Sequence, residues 1–471
     1  MNSNLFTPRT LVLSVLATAL LGGCASFSED GGFGPIQSAT QARIQKDVVW
    51  SRDEAARSQT QARIEALLAK PLSADDAVQI ALLNNPGLQA AFNTLGIAEA
   101  DWVAARRLPN PGVSVSRLTQ GSELEWDRAV SLDLMRVLTL PMRAGIEQRL
   151  FEQTRQSLVL DVLRVAADTR RAWVVAVAAE QSAQYQQQAM EAAEAGAELA
   201  RRMAQVGNWS KLKQAREQAF YADAALAVAR ADQAKLRGRE RLTRLLGLSS
   251  AEAIQLPARL PDLPGSLPPL PDVEQRAMDT RIDLQVARLQ TEALAKNLGL
   301  TRSTRVINVL ELGVMNNGFN DAPQQRGYGI SFELPLFDWG QTRVVAAESR
   351  YRQALERARE AAVNARSEVR EAYATQQSQY AIARHLRDEV VPLKQRISEE
   401  NQYRYNGMLI GVFELLADAR SQIASVNAAI EAQRDFWLAD ADLQMALAGP
   451  PGKTMASSVA FAPAGSAGGG H

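Results

Sequence analysis

The side chains that could carry out chemistry in this sequence are few and widely separated. The 471 residues include one cysteine, Cys24, and two histidines, His385 and His471. One cysteine cannot form an intrachain disulfide, and this set cannot supply a His/Cys zinc cluster. Residues 449–454 contain Gly-Lys-Thr but lack the first glycine of a phosphate-binding loop, and neither histidine belongs to a nucleophile motif. The residues therefore predict that the protein is not an enzyme and holds no metal ion or other cofactor.

Charge and composition narrow the class of protein further. The chain has 52 basic and 52 acidic residues, so its formal net charge is +0. Neutralising the phosphates of a nucleic acid requires a basic excess, so we expect no nucleic-acid partner. Only 6% of the residues are aromatic, and the abundance of Ala, Gln, Arg and Glu is typical of long α-helices.

The single cysteine follows a short apolar segment near the N-terminus. The run over residues 11–21 is too short to span a bilayer but has the form of a signal peptide, which we predict over residues 1–23. The following Leu21-Gly22-Gly23-Cys24 resembles the lipobox of bacterial lipoproteins, in which the cysteine thiol receives a diacylglyceryl group. The sequence therefore predicts covalent acyl chains, palmitate among them, on Cys24. A free, buried cysteine is the alternative.

Acyl chains on Cys24 would attach the start of the mature chain to a membrane. One chain anchors marginally and two or more anchor firmly. We therefore expect residues 24–70 to form a lipid-anchored segment. Ala25, which follows the cysteine, resembles the pattern that is sorted to the outer membrane.

The sequence contains one internal duplication. Leu88 aligns with Leu284 at an offset of 196, and Ser131-Leu132-Asp133-Leu134 aligns with Ser331-Phe332-Glu333-Leu334 at an offset of 200. A proline-rich stretch between the two halves cannot be helical. We predict a first repeat over residues 71–250, a connector over 251–272, a second repeat over 273–448 and a flexible tail over 449–471.

Each repeat contains two segments with the alternation of a β-strand. We predict strands over residues 113–118, 129–137, 306–314 and 327–337, because apolar and polar side chains alternate there. Two hairpins of a soluble domain are one interpretation. Strands of a membrane barrel are the other, with apolar side chains towards lipid. Four strands cannot close a barrel, which needs about eight, so one chain must combine with copies of itself, and three copies would give twelve strands.

Very long helices follow the strands. Those predicted over residues 143–205 and 341–405 span roughly 90 to 100 Å each at about 1.5 Å per residue. A further helix follows each, and its apolar residues have the 3,4 spacing of a coiled-coil seam. The seam residues are Ala215, Ala219, Ala222, Leu226, Ala229 and Leu236 in the first repeat, and Leu416, Ala419, Ile423, Val426, Ile430 and Trp437 in the second.

This order of elements resembles the outer membrane efflux protein family, the TolC-like channels. The resemblance covers residues 71–447. Its motifs are short and occur in the family's order: Asn85-Pro86-Gly87-Leu88, Leu108-Pro109-Asn110-Pro111, Leu334-Pro335-Leu336-Phe337-Asp338-Trp339-Gly340 and Arg404-Tyr405-Asn406-Gly407.

The resemblance implies a mainly α-helical chain with a membrane β part. Three chains would form an α-barrel of long antiparallel coiled coils in the periplasm and a twelve-stranded β-barrel in the outer membrane. The implied function is the passive exit duct of a tripartite efflux or secretion system. Its implied partners are two further copies of the chain, a periplasmic adaptor, an inner-membrane pump of the RND or ABC type, and outer membrane lipids.

The resemblance also implies a constriction where the long helices turn at their periplasmic end. Gly207 and Gly407 would lie in these two turns, although the family's glycine in the second turn falls on Met408. Both turns would then close the far end of the helical barrel.

Acidic residues beyond the second turn form rings in the family's constriction. Glu414 occupies the first ring position, whereas the second falls on Ala417, with Asp418 one residue later. In the first repeat, Lys213 stands where an acid is expected. We take Glu414, Asp418 and Lys213 as candidate constriction residues. The alternative is that they are solvated surface charges.

Two functions of different classes are open on this evidence. One is the exit duct, and the other is an acyl-anchored periplasmic coiled-coil scaffold without a pore. The sequence does not distinguish drugs, metal ions and peptides as substrates, because ten scattered methionines and two histidines define no metal pathway.

Overall fold

The computed structural model of the protein describes residues 26–450. Cys24, the predicted signal peptide over residues 1–23 and the predicted tail beyond residue 450 lie outside the described residues. The chain forms two compact units. The first unit includes residues 26–39, 90–159 and 282–363, and the second includes residues 40–89, 160–281 and 364–450. Among the described helices, none is long and apolar enough to cross a membrane.

The described residues form eleven α-helices and four β-strands. Helices α1 (Gly34–Ile44) and α2 (Glu54–Leu68) precede the duplicated part. The first repeat contains α3 (Ala74–Asn84), α4 (Pro86–Arg106), β1 (Gly112–Gln120), β2 (Glu123–Asp133), α5 (Leu134–Gln205) and α6 (Lys211–Leu246). The second contains α7 (Val273–Thr280), α8 (Ile282–Ser303), β3 (Leu310–Phe319), β4 (Gln325–Phe332), α9 (Gln341–His385), α10 (Val391–Asn406) and α11 (Val412–Ala448). The predicted fold class, mainly helical with four antiparallel strands, is confirmed.

The long helix predicted over residues 341–405 is interrupted. A π-helical turn, Leu386–Val390, separates α9 from α10, and Pro392 follows in the first turn of α10. Proline has no backbone N–H, and its ring clashes with the carbonyl four residues earlier, here that of Asp388. The π-helical turn lies where this clash would disturb a regular α-helix.

The long helix of the first repeat starts earlier than predicted. Helix α5 runs for 72 residues from Leu134 and contains Pro141. The strand predicted over residues 129–137 therefore ends at Asp133, whose Oδ1 accepts a hydrogen bond from the backbone N–H of Arg136 at 2.8 Å. This side chain satisfies one of the free N–H groups at the start of the helix.

The four strands form one antiparallel sheet in the order β1-β2-β3-β4. Gly121 has a φ of +62° in the tight turn between β1 and β2, a conformation that glycine adopts without steric cost. The side chain of Asn320 links this turn to β3, because its Nδ2 donates to the carbonyl of Ser122 at 2.8 Å. Both connections between paired strands therefore lie at the same end of the sheet.

The predicted strand bounds were too short at the turn end and too long at the helix end. Pairs such as Thr119 with Leu124 and Asn317 with Gln325 belong to the ladder, although polar residues there suggested loops. Polar side chains are compatible with a strand face that is not in a protein core. Residues 306–309 and 333–337 lie outside the strands, and Pro335 cannot donate to a ladder.

The register places different side chains on the two faces of the sheet. One, which we call the apolar face, carries Val113, Val115, Val130, Leu132, Leu312, Val314, Tyr328, Ile330 and Phe332, with Trp126 and three arginines towards the turns. The other, the carboxylate face, carries Glu123, Glu125, Asp127, Asp133 and Glu311 among serines and glycines. All five strand carboxylates therefore share one face.

The beginning of the described chain is fixed to α4 in the first unit. The backbone N–H of Ser28 donates to Oε1 of Glu99 at 2.7 Å, and the Ser28 hydroxyl donates to the same oxygen. The Arg107 guanidinium lies 5.9 Å from the ring centroid of Phe27. Since α4 leads into β1, the start of the described chain lies near the helix end of the sheet.

In the second unit, α5 and α6 approach closely through small residues. A Cβ at Gly238 would lie 3.1 Å from the Cα of Ala176. The buried stripe of α6 contains Ala224, Gly238, Leu242 and Leu246. The leucines of the seam predicted for α6, Leu226 and Leu236, are 49% and 60% exposed, so no neighbouring helix covers them in the described part of this chain. The spacing identified an apolar stripe but not which neighbour covers it.

Corresponding residues of the two repeats cap the ends of the last long helices. Asn85 Nδ2 donates to the carbonyl of Leu245 in α6 at 2.9 Å. Its counterpart at the offset of 196, Arg281, donates through Nη1 to the carbonyl of Ala446 in α11 at 3.2 Å. Arg281 is 1% exposed and pairs with Glu368 at 2.8 Å. In both repeats a side chain thus pairs with a backbone carbonyl that has no partner within its own helix, but the side chain is an asparagine in one repeat and an arginine in the other.

Candidate functional site at the helix turns

The two predicted tip turns lie side by side in the second unit. The ring of Trp209, from the turn between α5 and α6, packs edge-on against Phe413 of α11 with centroids 6.4 Å apart. Each turn contains a residue with positive φ, which is Gly207 at +77° in one and Met408 at +58° in the other. Gly407 has a φ of −81° and ends α10. The left-handed position therefore falls on Met408, where the family resemblance places the glycine.

The first turns of α6 and α11 contain two of the candidate constriction residues. Ser210 caps α6 by accepting a hydrogen bond from the backbone N–H of Lys213 at 3.3 Å, and the Lys213 side chain is exposed. Glu414 is exposed in the first turn of α11. Within residues 26–450, neither charged side chain makes a hydrogen bond or an ion pair.

Asp418, the third candidate, has a partner within the chain. It is half-buried and accepts a hydrogen bond from Nδ2 of Asn401 in α10. This bond connects α10 to α11 across the turn at Met408. The described structure brings the three candidates to one end of the helices but joins none of them to another.

A charged pair that the sequence did not suggest lies next to these turns. Nη2 of Arg420 in α11 contacts Oε2 of Glu217 in α6. The Glu217 side chain is 2% exposed and that of Arg420 is 27% exposed. The guanidinium also lies 4.4 Å from the ring centroid of Phe220, close enough for a cation–π contact. The pair therefore connects the helices that follow the two turns.

The pair is incompletely satisfied. Glu217 Oε1 and Arg420 Nε are buried and have no hydrogen-bond partner in the described structure. A buried charge is costly unless its remaining polar atoms are also paired. The contact therefore connects α6 to α11, but its two unpaired polar atoms reduce the stability that it contributes.

Sequence similarity between the repeats contains a signal for Glu217. The offset of 200 aligns Glu217 with Ala417, the position at which the family resemblance expects the second acid. The acid is thus present in the first repeat instead of the second. Arg420 has no comparable signal, because nothing local in the sequence connects it to a residue so distant along the chain.

Close helix packing surrounds the pair. A Cβ at Gly196 of α5 would lie 3.4 Å from Cδ2 of Leu416 and 3.8 Å from Oε2 of Glu217. Nearby in α5, hydrogen bonds from Arg201 and Arg202 lower the pKa of Glu198 to about 2. The helix ends at this site therefore carry charged groups that stay ionised at neutral pH.

Metal coordination has no candidate site in the part of the chain that the structure describes. No group of three or more His, Cys, Asp or Glu side chains is arranged to hold an ion between residues 26 and 450. What the turns offer is exposed charge, a buried ion pair and packed aromatic rings, with no nucleophile or ligand cluster among them.

Solved structures with a similar fold include membrane proteins. The chain superimposes on a membrane protein from Pseudomonas aeruginosa with a TM-score of 0.69 and 17% identity, covering 85% of this chain and 95% of that one. It superimposes on the outer membrane channel CmeC of Campylobacter jejuni with a TM-score of 0.69 and 16% identity, covering 81% and 87% respectively. At these identities the likeness defines the fold. That fold is shared with solved outer membrane channels.

Sequence comparison shows similarity to one family. Residues 273–449 match the family model of the outer membrane efflux protein. The cobalt-zinc-cadmium resistance protein CzcC of Cupriavidus metallidurans is 23% identical over 290 residues. The match covers 59% of this chain and 66% of that relative, just under two thirds of its length. The second repeat is thus similar in sequence to the outer membrane efflux protein family, and most of the described chain has the fold of outer membrane channels.

Proposed function

We propose that the protein is the outer membrane channel component of a tripartite efflux or secretion system. It acts as a passive exit duct for substrates that an inner-membrane pump and a periplasmic adaptor deliver. The observation that carries this proposal is the four-stranded sheet, which has an apolar face, a carboxylate face and two unpaired edges.

Such a sheet is incomplete in one chain. Strands β1 and β4 each pair on one side only, and unpaired strand edges cannot face hydrocarbon. Pairing β4 of one copy with β1 of the next satisfies both edges. Three copies give twelve strands, with the apolar face towards lipid and the carboxylate face towards the lumen.

The helices support the same assembly. The exposed seam of α6 has the spacing of a coiled coil but lacks a partner among residues 26–450. A second copy of the chain supplies one without exposing further apolar surface. The homotrimer therefore accounts for both the strand edges and the α6 seam. A periplasmic scaffold without a pore accounts for the seam alone.

The lipid anchor at Cys24 fits this arrangement. Phe27 and Ser28, three and four residues after the cysteine, lie against the end of α4 that leads to β1. Acyl chains on Cys24 would then enter the membrane next to the sheet. Loss of radiolabelled palmitate from a Cys24→Ser variant tests the modification, and continued labelling would exclude this cysteine as the site.

Glu414 is the best candidate for a constriction residue at the periplasmic tip. It is exposed in the first turn of α11 and has no partner in the described part of the chain, whereas Asp418 accepts a hydrogen bond from Asn401. Three symmetry-related Glu414 carboxylates would favour cations in a narrow passage. Lys213, exposed at the start of α6, would reduce that preference if it reaches the same passage.

Divalent metal cations are the substrate class to test first. The name of CzcC refers to cobalt, zinc and cadmium resistance, and the carboxylate face would line the lumen with five carboxylates per chain. The adaptor and the pump, of the RND or ABC type, remain to be identified by co-purification.

Two measurements test the channel itself. The purified protein should be a detergent-soluble trimer, and it should conduct ions in planar bilayers, with Glu414→Gln reducing cation selectivity. Glu431→Gln, on the same helix and away from the turn, is the matched control. A water-soluble monomer without conductance would refute the duct and favour the scaffold.

A further inference from the structure

Three arginines form a band on the apolar face of the sheet, close to the turns. Arg128 of β2 pairs in register with Val115 and with Asn316, which in turn pairs with Arg326 of β4. Arg117 of β1 lies one row further towards the turns, opposite Trp126. We call Arg117, Arg128 and Arg326 the arginine band.

The rows between the arginine band and the strand ends that connect to the helices are apolar. Val113, Val130, Val314 and Tyr328 form the adjacent row, about 7 Å away at 3.3–3.4 Å per residue. Leu132, Leu312 and Ile330 form the next. The band therefore lies at the turn-side edge of an apolar belt.

The arginines of the band have no acidic partner among the described residues. Every strand carboxylate is on the opposite face, and in the described part of the chain none of the three guanidinium groups makes a hydrogen bond or an ion pair. Arg117 lies 5.3 Å from the ring centroid of Trp126, a contact that orients it without neutralising it. Three uncompensated positive charges beside apolar rows require an anionic counterpart when that face is in a membrane.

A cavity is associated with the band. Its volume is about 240 Å³, and its lining includes Trp126, Arg128, Asn316 and Gln324. Aromatic, guanidinium and amide groups together suit a polar headgroup that has both an anionic part and hydrogen-bonding groups. The space lies on the same face as the apolar rows, so that acyl chains can lie along them while the headgroup occupies the cavity.

We propose that the arginine band and this cavity bind the phosphate-bearing headgroup of a lipid in the leaflet nearest the sheet turns. The proposal rests on the proposed function, because it requires the sheet to be in the outer membrane. With the helices in the periplasm, the turns point outward, and the leaflet concerned is the outer one. Lipid A, a phosphorylated sugar lipid, has the required chemistry.

Guanidinium groups suit this ligand for geometric and electrostatic reasons. Their planar donor pairs can bind two phosphate oxygens at once, and they retain their charge at the edge of a membrane. The flexible stems of Arg128 and Arg326 can lie along apolar surface while their charged ends reach the headgroup level. Arg128 borders the cavity and is the central contact.

The test uses the full-length trimer in detergent, with lipid A and its form lacking both phosphates as probes. Native mass spectrometry after a fixed detergent wash reports how much lipid remains bound. The wild type should retain lipid A and lose the phosphate-free form. The triple variant Arg117→Gln, Arg128→Gln, Arg326→Gln should bind lipid A at least about tenfold more weakly, since each lost contact to a charged group weakens binding several-fold.

Two controls separate charge from loss of folding. Arg357→Gln removes an exposed arginine from α9 and should leave lipid retention unchanged. Replacing the three arginines by lysine keeps the charge and should restore part of the retention. Retention by the glutamine variant within twofold of the wild type would overturn the proposal, as would equal binding of both lipid forms. Displacement of lipid A by excess inorganic phosphate would also overturn it, because the site would then accept a free anion.

Failure of this proposal can be distinguished from failure of the channel function. The glutamine variant should remain a trimer and conduct ions like the wild type, because the arginine band lies on the lipid side of the sheet. If the wild type itself is neither trimeric nor conducting, the channel function is refuted whatever the lipid result.

Discussion

The ion pair between Glu217 and Arg420 allows us to predict how much stability is lost when one of its partners is removed. Arg420→Met leaves the Glu217 carboxylate, whose side chain is 2% exposed, without a cation. Removing one partner of a fully buried pair costs about 3–5 kcal/mol. Because Arg420 keeps 27% of its side-chain exposure, water compensates part of the loss, and we expect about 2–3 kcal/mol.

The double variant Glu217→Leu, Arg420→Met distinguishes this explanation from a general loss of packing. It removes both charges together with the two unpartnered atoms, Oε1 of Glu217 and Nε of Arg420. Replacing a poorly satisfied buried pair by apolar side chains is often neutral or stabilising. The double variant should therefore be within about 1 kcal/mol of the wild type, although each single change is costly.

Hydrogen exchange detects these changes where they occur. A cost of 2–3 kcal/mol corresponds to about 30- to 150-fold faster exchange when the helix ends open locally. The amides to follow are those of the first turns of α6 and α11. Glu414→Gln, an exposed change in the same turn of α11, should alter exchange by less than threefold. Two results would refute this explanation. One is that Arg420→Met accelerates hydrogen exchange less than threefold, and the other is that the double variant loses as much stability as the two single changes added together.

Three further predictions concern the turns, the α6 seam and a buried carboxyl. Met408→Gly should slow hydrogen exchange of the amides near the second turn by about fivefold, or about 1 kcal/mol, because a methionine in the left-handed conformation is strained. Gly207→Ala should accelerate hydrogen exchange of the amides in the first turn. Effects of the same sign in the two variants would contradict this explanation. Leu226→Gln with Leu236→Gln should weaken the trimer at least tenfold by light scattering, whereas Leu242→Ala, at a buried position of α6, should lower the thermal midpoint more than it weakens assembly. Burial raises the pKa of Asp440 more than the hydrogen bonds from Gln376 and Gln444 lower it. The folded state therefore binds the proton of Asp440 more tightly than the unfolded state does, and the protein loses stability as pH rises through the acidic range. Asp440→Asn should therefore raise the thermal midpoint relative to the wild type more at pH 7 than at pH 4, and an equal difference at both values would exclude this carboxyl as the cause.

The fold was largely predictable because its signals are local and occur twice. The alternation around Leu132 gave a strand with two distinct faces, and the aligned segments of the repeats gave the order of elements. The ends of the elements were less predictable. Polar residues such as Asn317 look like a loop in sequence but belong to a ladder, and Asp133 ends a strand because it caps the next helix.

The positions of the two turns were predictable from the sequence, but the contacts around them were not. Gly207 and Gly407 located the two turns, yet the left-handed conformation in the second falls on Met408. Arg420 and Glu217 are far apart along the chain, and no local pattern connects them. The α6 seam had the correct spacing, but spacing alone does not say whether the neighbour is the same chain or another copy.

The unequal faces of the sheet also constrain how copies of the chain can assemble. A ring of strands could in principle curl in either sense and present either face outward. In the proposed trimer, curling the wrong way would place five carboxylates per chain in hydrocarbon and the valines and Tyr328 in water, and a charged side chain such as Asp at the centre of a bilayer costs about 2.5–3.5 kcal/mol. In that trimer the carboxylate face would therefore also select the sense of closure, because only one of the two closed forms could be inserted into a membrane.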